Sequence, residues 1–193
     1  YFGTIATRIT ANKLTIAGQT ALERLRALIP KESLEAAAPA NINQLLREVL
    51  ELCKQRLLSG GMIVDWKPAP MLPAVTARIG RLRAMFKHLI DNALDAMEST
   101  RQGARELRIA TSVQDQAVEV IIEDSGPGVP TEVRWRIFEP FFTTKHSPSH
   151  LGLGLALVQE VVNEQRGMID IDPDCTSGCR WRVSLPLHYE DDS

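Results

Sequence analysis

At 193 residues the chain is longer than one small domain, and with 44% hydrophobic and 24% charged residues it has a globular rather than a disordered or fibrous composition. A net charge of −2 gives no footprint for nucleic acid or an anionic membrane, and no apolar run approaches the roughly 20 residues of a membrane span. Three cysteines, Cys53, Cys175 and Cys179, argue against a secreted disulfide framework, so a cytoplasmic setting is expected.

Apolar positions recur at helical spacing over residues 4–29, with Pro30 as the stop, and predict one long helix. The stretch 31–40, closed by Pro39, reads as a linker. Asn41 opens an amphipathic helix to about Leu58, ended by Ser59-Gly60-Gly61. A strand is expected at Met62–Trp66, then a loop punctuated by Pro68, Pro70 and Pro73. A helix follows from about Arg81 to Ser99. Strands Glu106–Ser112 and Ala117–Glu123 are joined by a hairpin turn at Gln114-Asp115-Gln116.

Between Gly126 and Gly152 lies a long segment with prolines, a short helix-like patch and aromatic residues; such segments are usually lids or binding loops. A helix over about Leu153–Gln165 and strands Met168–Ile171 and Cys179–Leu185 complete the order, and Glu190-Asp191-Asp192 reads as a solvated end. Helices and hairpin-like strands in this order predict an α+β fold, a mixed sheet with helices on one face. Cys175 and Cys179 lack the partners of a tetrahedral metal set and read as ordinary thiols.

Four segments carry candidate chemistry. Asn92 is polar within the apolar helix His88–Met97, on a face with Leu89, Ala93 and Ala96. It is either a capping or exposed residue or an oxygen ligand for Mg²⁺. Asp124-Ser125-Gly126-Pro127-Gly128 follows a strand. It is either a common turn or a carboxylate placed to accept the exocyclic amine of adenine, with glycines that let the backbone approach a flat ligand.

Phe138-Glu139-Pro140-Phe141-Phe142-Thr143-Thr144-Lys145 is either a small apolar cluster under a loop or a phosphate contact through Lys145 and its neighbouring hydroxyls. Gly152-Leu153-Gly154-Leu155 opens a helix, where free N–H groups and the positive dipole end suit phosphate.

In this order the four segments match the asparagine, first glycine, phenylalanine and second glycine boxes of the GHKL superfamily, and the chain resembles the catalytic and ATP-binding domain of sensor histidine kinases. The resemblance covers about residues 41–187 and implies a two-layer α/β sandwich with a Bergerat-type site for ATP or ADP and Mg²⁺. It places Asp124 on adenine and Asn92 on Mg²⁺, and makes 129–151 the ATP lid. It also implies that Gly126, Gly128, Phe138, Thr143, Thr144, Lys145, Gly152, Leu153, Gly154 and Leu155 surround the nucleotide. Gly178 falls in the family's last glycine box, though Cys179-Arg180-Trp181 departs from it. The implied division is 1–40 as the remnant of a dimerisation hairpin with its linker, 41–187 as the nucleotide-binding domain and 188–193 as a tail. Tyr1 is no natural start, so an upstream portion and a homodimer of the whole protein are expected.

Two positions depart from the kinase pattern. His88 stands where kinases carry asparagine and hydrolytic relatives such as gyrase and MutL carry glutamate, and His150 stands at an expected glycine. Catalytic roles would therefore fall to Lys145 and to His88, the latter a poor substitute for a base. The segments 64–73 and 88–93 are further similar to the NifL-type regulators of nitrogen fixation, kinase-like proteins whose adenine-nucleotide state controls a transcriptional activator and which a PII protein engages. Two functions stay open. One is a nucleotide-sensing binding module for a protein partner. The other is a working two-component kinase that transfers the γ-phosphate to a histidine outside this chain and signals to a response regulator.

Overall fold

The computed structural model describes residues 35–100, 103–144, 151–175 and 177–187. The chain divides between Glu35 and Ala36 into two units, and every element below belongs to the second. The helix expected over 4–29 and the acidic tail lie outside the described residues.

Strand β1 (Ala38–Ala40) leads into helix α1 (Ile42–Ser59). Asn41 caps that helix by accepting the Gln44 backbone N–H at 3.0 Å, and Gly60 closes its end. Strands β2 (Ile63–Lys67) and β3 (Val75–Ala77) precede the long helix α2 (Ile79–Ser99). The hairpin of β4 (Glu106–Gln114) and β5 (Ala117–Asp124) turns at Asp115 and Gln116, both with positive φ, as a tight two-residue hairpin requires. A 3₁₀ turn (Thr131–Val133), helix α3 (Gly154–Glu164) and strands β6 (Met168–Ile171) and β7 (Cys179–Pro186) finish the domain.

The main sheet has the order β2-β4-β5-β7-β6, parallel between β2 and β4 and antiparallel elsewhere. Helix α2 packs against α1, α3 and β5. The expected mixed sheet and helix layer are thus present. One finding differs from the sequence reading: Ala38–Ala40, read as linker, pairs antiparallel with Val75–Ala77, part of the proline-rich loop, in a second two-stranded sheet. Three-residue strands carry too little period-two pattern to be read, and Pro39 argued against pairing.

Strand alternation separates the faces. Leu107 and Ile109 of β4, Val118, Val120 and Ile122 of β5, and Trp181, Val183 and Leu185 of β7 point inward, where Phe86, Leu89, Ile90 and Leu94 of α2 meet them in one buried core. The outward positions carry charge in register. Asp65, Arg108, Glu123 and Arg180 lie side by side on β2, β4, β5 and β7, joined by contacts of 2.9, 3.4 and 2.7 Å, and Asp172 closes the row on Arg180 at 3.0 Å. Arg182 adds Glu119 and a second contact to Asp172.

On β4 the inward position Thr111 is polar. The Thr111 hydroxyl donates to Asn43 Oδ1 at 2.8 Å and accepts the Ala69 N–H at 2.9 Å, while Asn43 Nδ2 donates to the Ala69 carbonyl at 2.9 Å. This ring of bonds ties α1 and the proline loop to β4. Thr111→Val leaves a buried acceptor and a donor without partners and is expected to lower stability by about 1–3 kcal/mol, whereas Thr111→Ser is expected to lose less. Urea midpoints of the two variants check this.

Candidate functional site

The period of β5 explains a buried carboxylate. Asp124 falls on the same parity as Val118, Val120 and Ile122, so it ends the core-facing row and is only 3% exposed. The chain then turns sharply, and the Gly126 N–H donates to Asp124 Oδ1 at 2.8 Å. A Cβ on Gly126 would lie 2.7 Å from that oxygen and 2.8 Å from Ala96 Cβ, so the absence of a side chain lets the turn press onto α2. Gly178, at φ 81°, closes the other side: a Cβ there would collide with the Asp124 carbonyl oxygen. Gly128 in turn packs on the Gly178 carbonyl, which its Cβ would approach to 2.6 Å.

Helix α2 runs from this end to the start of α3. His88, Asn92 and Ala96 recur every four residues and so share one face. Ala96 abuts Gly126, and His88 Nδ1 lies 3.4 Å from the point a Cβ on Gly154 would occupy. Asn92, half-buried, therefore stands midway along a line from the Asp124 turn to the first residue of α3. Eight helical residues rise about 12 Å.

At the far end, Leu153 provides no side-chain cap for α3 and its first turn holds no acidic residue, so the positive end of the helix meets no counter-charge from its own first turn. The Phe141 N–H donates to the Gly152 carbonyl at 2.9 Å, and a Cβ on Gly152 would lie 2.6 Å from the Phe142 carbonyl oxygen. Phe141 itself holds φ 67°, rarely adopted by a bulky residue.

The aromatic run has a packing role. Phe138 meets Trp181 edge-to-face with centroids 6.0 Å apart, and the Arg136 guanidinium lies 4.5 Å from the Phe142 ring centroid. Thr143 and Thr144 are exposed. Leu153 and Leu155 are half-buried at the α3 entry, while Lys145 and His150 lie outside the described residues. Sequence reasoning missed two supports, Trp181 under Phe138 and Arg134, whose Nε donates to the Val129 carbonyl at 3.1 Å. The recurrence of a small residue, Ala96, four places after Asn92 was the readable sign of a close approach.

Burial pushes the His88 imidazole below its usual range, although Asp91 opposes this, so the ring is held neutral. Burial likewise pushes the Cys179 thiol up to about 12, an unreactive thiol. Among the described residues no three His, Cys, Asp or Glu side chains gather to hold a metal, and no helix is long and apolar enough to cross a membrane. A separate cleft of about 550 Å³, lined by Asn41, Asn43, Arg47, Pro70, Met71, Leu72 and Pro73, shares no residue with this line.

The model of the histidine kinase-, DNA gyrase B-, and HSP90-like ATPase family matches residues 77–189, more than half of the chain. The chain belongs to this family. This ATPase-family chain is 31% identical over 162 residues to the sensory histidine kinase/phosphatase NtrB of Rhizobium leguminosarum bv. phaseoli, covering 77% of this chain and 41% of that protein. It is 29% identical over 188 residues to the sensor histidine kinase ZraS of Klebsiella oxytoca, covering 92% and 39%. The chain thus spans about two fifths of these relatives.

Among solved structures, full-length ShkA in complex with AMPPNP is similar with a TM-score of 0.67 and 31% identity over 78% of this chain and 31% of that one. The catalytic domain of the histidine kinase ThkA is similar with a TM-score of 0.69 and 26% identity over 78% and 95%. The ATPase-family sandwich expected from the four segments is the fold found, and the chain carries an ATP-binding domain of the histidine-kinase type.

Proposed function

We propose that this domain holds ADP or ATP along the α2 face, with adenine on Asp124, a divalent cation on Asn92 and phosphates at the α3 N-terminus, and that its nucleotide state controls a protein partner. The observation that carries the reading is the alignment of a buried carboxylate, a helix asparagine and an uncapped helix start along a line about 12 Å long, with close-packed glycines at both ends. The Asn92 amide oxygen is a hard donor that suits Mg²⁺, which keeps waters and takes phosphate oxygens as further ligands. Gly126, Gly128, Gly152 and Gly154 let backbone approach the ligand, Leu153 and Leu155 border it, and Phe138 holds its wall from behind through Trp181. Thr143, Thr144 and Lys145 would reach the phosphates from residues 129–151, the lid of this reading.

The proposed partner is a transcriptional activator or a response regulator, with a PII protein as a further one, in a cytoplasmic homodimer. The NifL-like form, nucleotide binding without phosphoryl transfer, is supported by His88 and His150. A neutral, half-buried imidazole beside the α3 start cannot reproduce an asparagine amide, and phosphoryl transfer depends on positioning. The second reading, γ-phosphate transfer to a histidine outside this chain, is favoured by the sensor-kinase relatives.

Labelling of the full-length protein with radioactive ATP separates the two. The wild type is expected to label weakly and hydrolyse negligibly, and His88→Asn with His150→Gly to raise labelling by about tenfold or more. Robust labelling of the wild type replaces the binding module with the kinase.

A further inference from the structure

We infer that His88 is a second protein ligand of the cation that accompanies the nucleotide, so that the site takes Mn²⁺ or a later first-row divalent ion in preference to Mg²⁺. The inference rests on the nucleotide reading above and deepens it. His88 and Asn92 are separated by one helical turn on α2. That is the spacing at which paired side chains of a helix close on one metal ion, as in metalloprotease helices.

The surroundings hold the ring in place. His88 is half-buried, and its ring edge runs along the first residue of α3, with Nδ1 and Cγ 3.4 and 3.8 Å from the point a Cβ on Gly154 would occupy. A Cβ at position 154 would sit in ordinary van der Waals contact with that edge. The imidazole thus stands at the phosphate end of the line, one turn beyond Asn92. Desolvation by burial keeps it unprotonated, the form in which a ring nitrogen has a lone pair to donate.

The donor set then decides the ion. Mg²⁺ takes oxygen ligands in a tight octahedron and releases its waters reluctantly, so an imidazole nitrogen adds little to its binding. Mn²⁺, Fe²⁺ and Co²⁺ accept nitrogen and oxygen together, with affinity rising along that series. With an amide oxygen from Asn92, a nitrogen from His88 and nucleotide phosphate oxygens, the mixed set suits these ions. An asparagine at position 88 would return an all-oxygen set.

Two measurements on the protein with ADP test this. Calorimetric titration of ADP in MnCl₂ and in MgCl₂ is expected to give a wild-type affinity ratio about tenfold larger than that of His88→Asn, since Mn²⁺ also binds free ADP somewhat better. Electron spin-echo modulation of the Mn²⁺–ADP complex is expected to show imidazole-nitrogen coupling in the wild type and none in His88→Asn. Equal ratios without imidazole coupling overturn the inference while leaving the nucleotide site standing. Failure to bind ADP with either cation overturns the nucleotide site and this inference together.

Discussion

Asp124→Asn is expected to weaken ADP and ATP binding by about 1–3 kcal/mol, roughly 5- to 150-fold. The carboxylate is 3% exposed and accepts the Gly126 N–H at 2.8 Å, so adenine would meet it in a nearly dry setting. Asparagine fills the same volume, but one of its two heavy atoms is a donor. Whichever way the amide turns, a donor faces either the Gly126 N–H or the adenine amine, and a buried mismatch of that kind carries the desolvation penalty of the unpaired group. Calorimetry with ATP, ADP and GTP is the measurement. GTP should bind the wild type far more weakly than ATP, because guanine lacks an amine at the corresponding place. Equal affinities for ATP and GTP would remove Asp124 from adenine recognition.

Gly178→Ala is expected to destabilise the fold by more than about 3 kcal/mol, combining a strained φ with a collision. Its φ of 81° is unfavourable for any side chain, and its Cβ would strike the Asp124 carbonyl, backbone of a strand paired on both sides. Neither partner is the end of a flexible side chain, so relief requires moving β5 or β7. Gly61→Ala is the control: φ is 59° but nothing lies within 4 Å of its Cβ, so only the conformational strain of about 1–2 kcal/mol applies. Denaturant midpoints of both variants decide the matter. Similar losses at the two glycines would mean that the contact at Gly178 relaxes freely.

Much of this architecture was legible because its signals are local and repeated. Helix α2 has apolar residues at helical spacing over 21 positions, and β5 alternates buried and half-buried residues over all eight of its own. Asp124 and the glycines around it were legible as a combination, since four segments in one order constrain each other more than any one does alone. The β1–β3 pair was not, because three residues and a proline give no period. Nor was the packing of Phe138: an aromatic in a long loop has no periodicity, and its partner Trp181 lies more than forty residues away on β7. The parallel placement of β2 beside β4 is likewise set by the helix layer between them in sequence, not by any residue within either strand.

The charge row on the open face of the sheet also bears on how the domain meets other molecules. Because Asp65, Glu119, Glu123 and Asp172 face Lys67, Arg108, Arg180 and Arg182 at contact distances, four charges of each sign, their fields cancel within a few ångströms of the surface. A macromolecule approaching that face is neither drawn in nor turned by long-range attraction, so its encounter rate there stays near the unsteered diffusional value at any ionic strength. A salt-sensitive association rate measured for the whole domain would therefore report an approach from another side of the molecule.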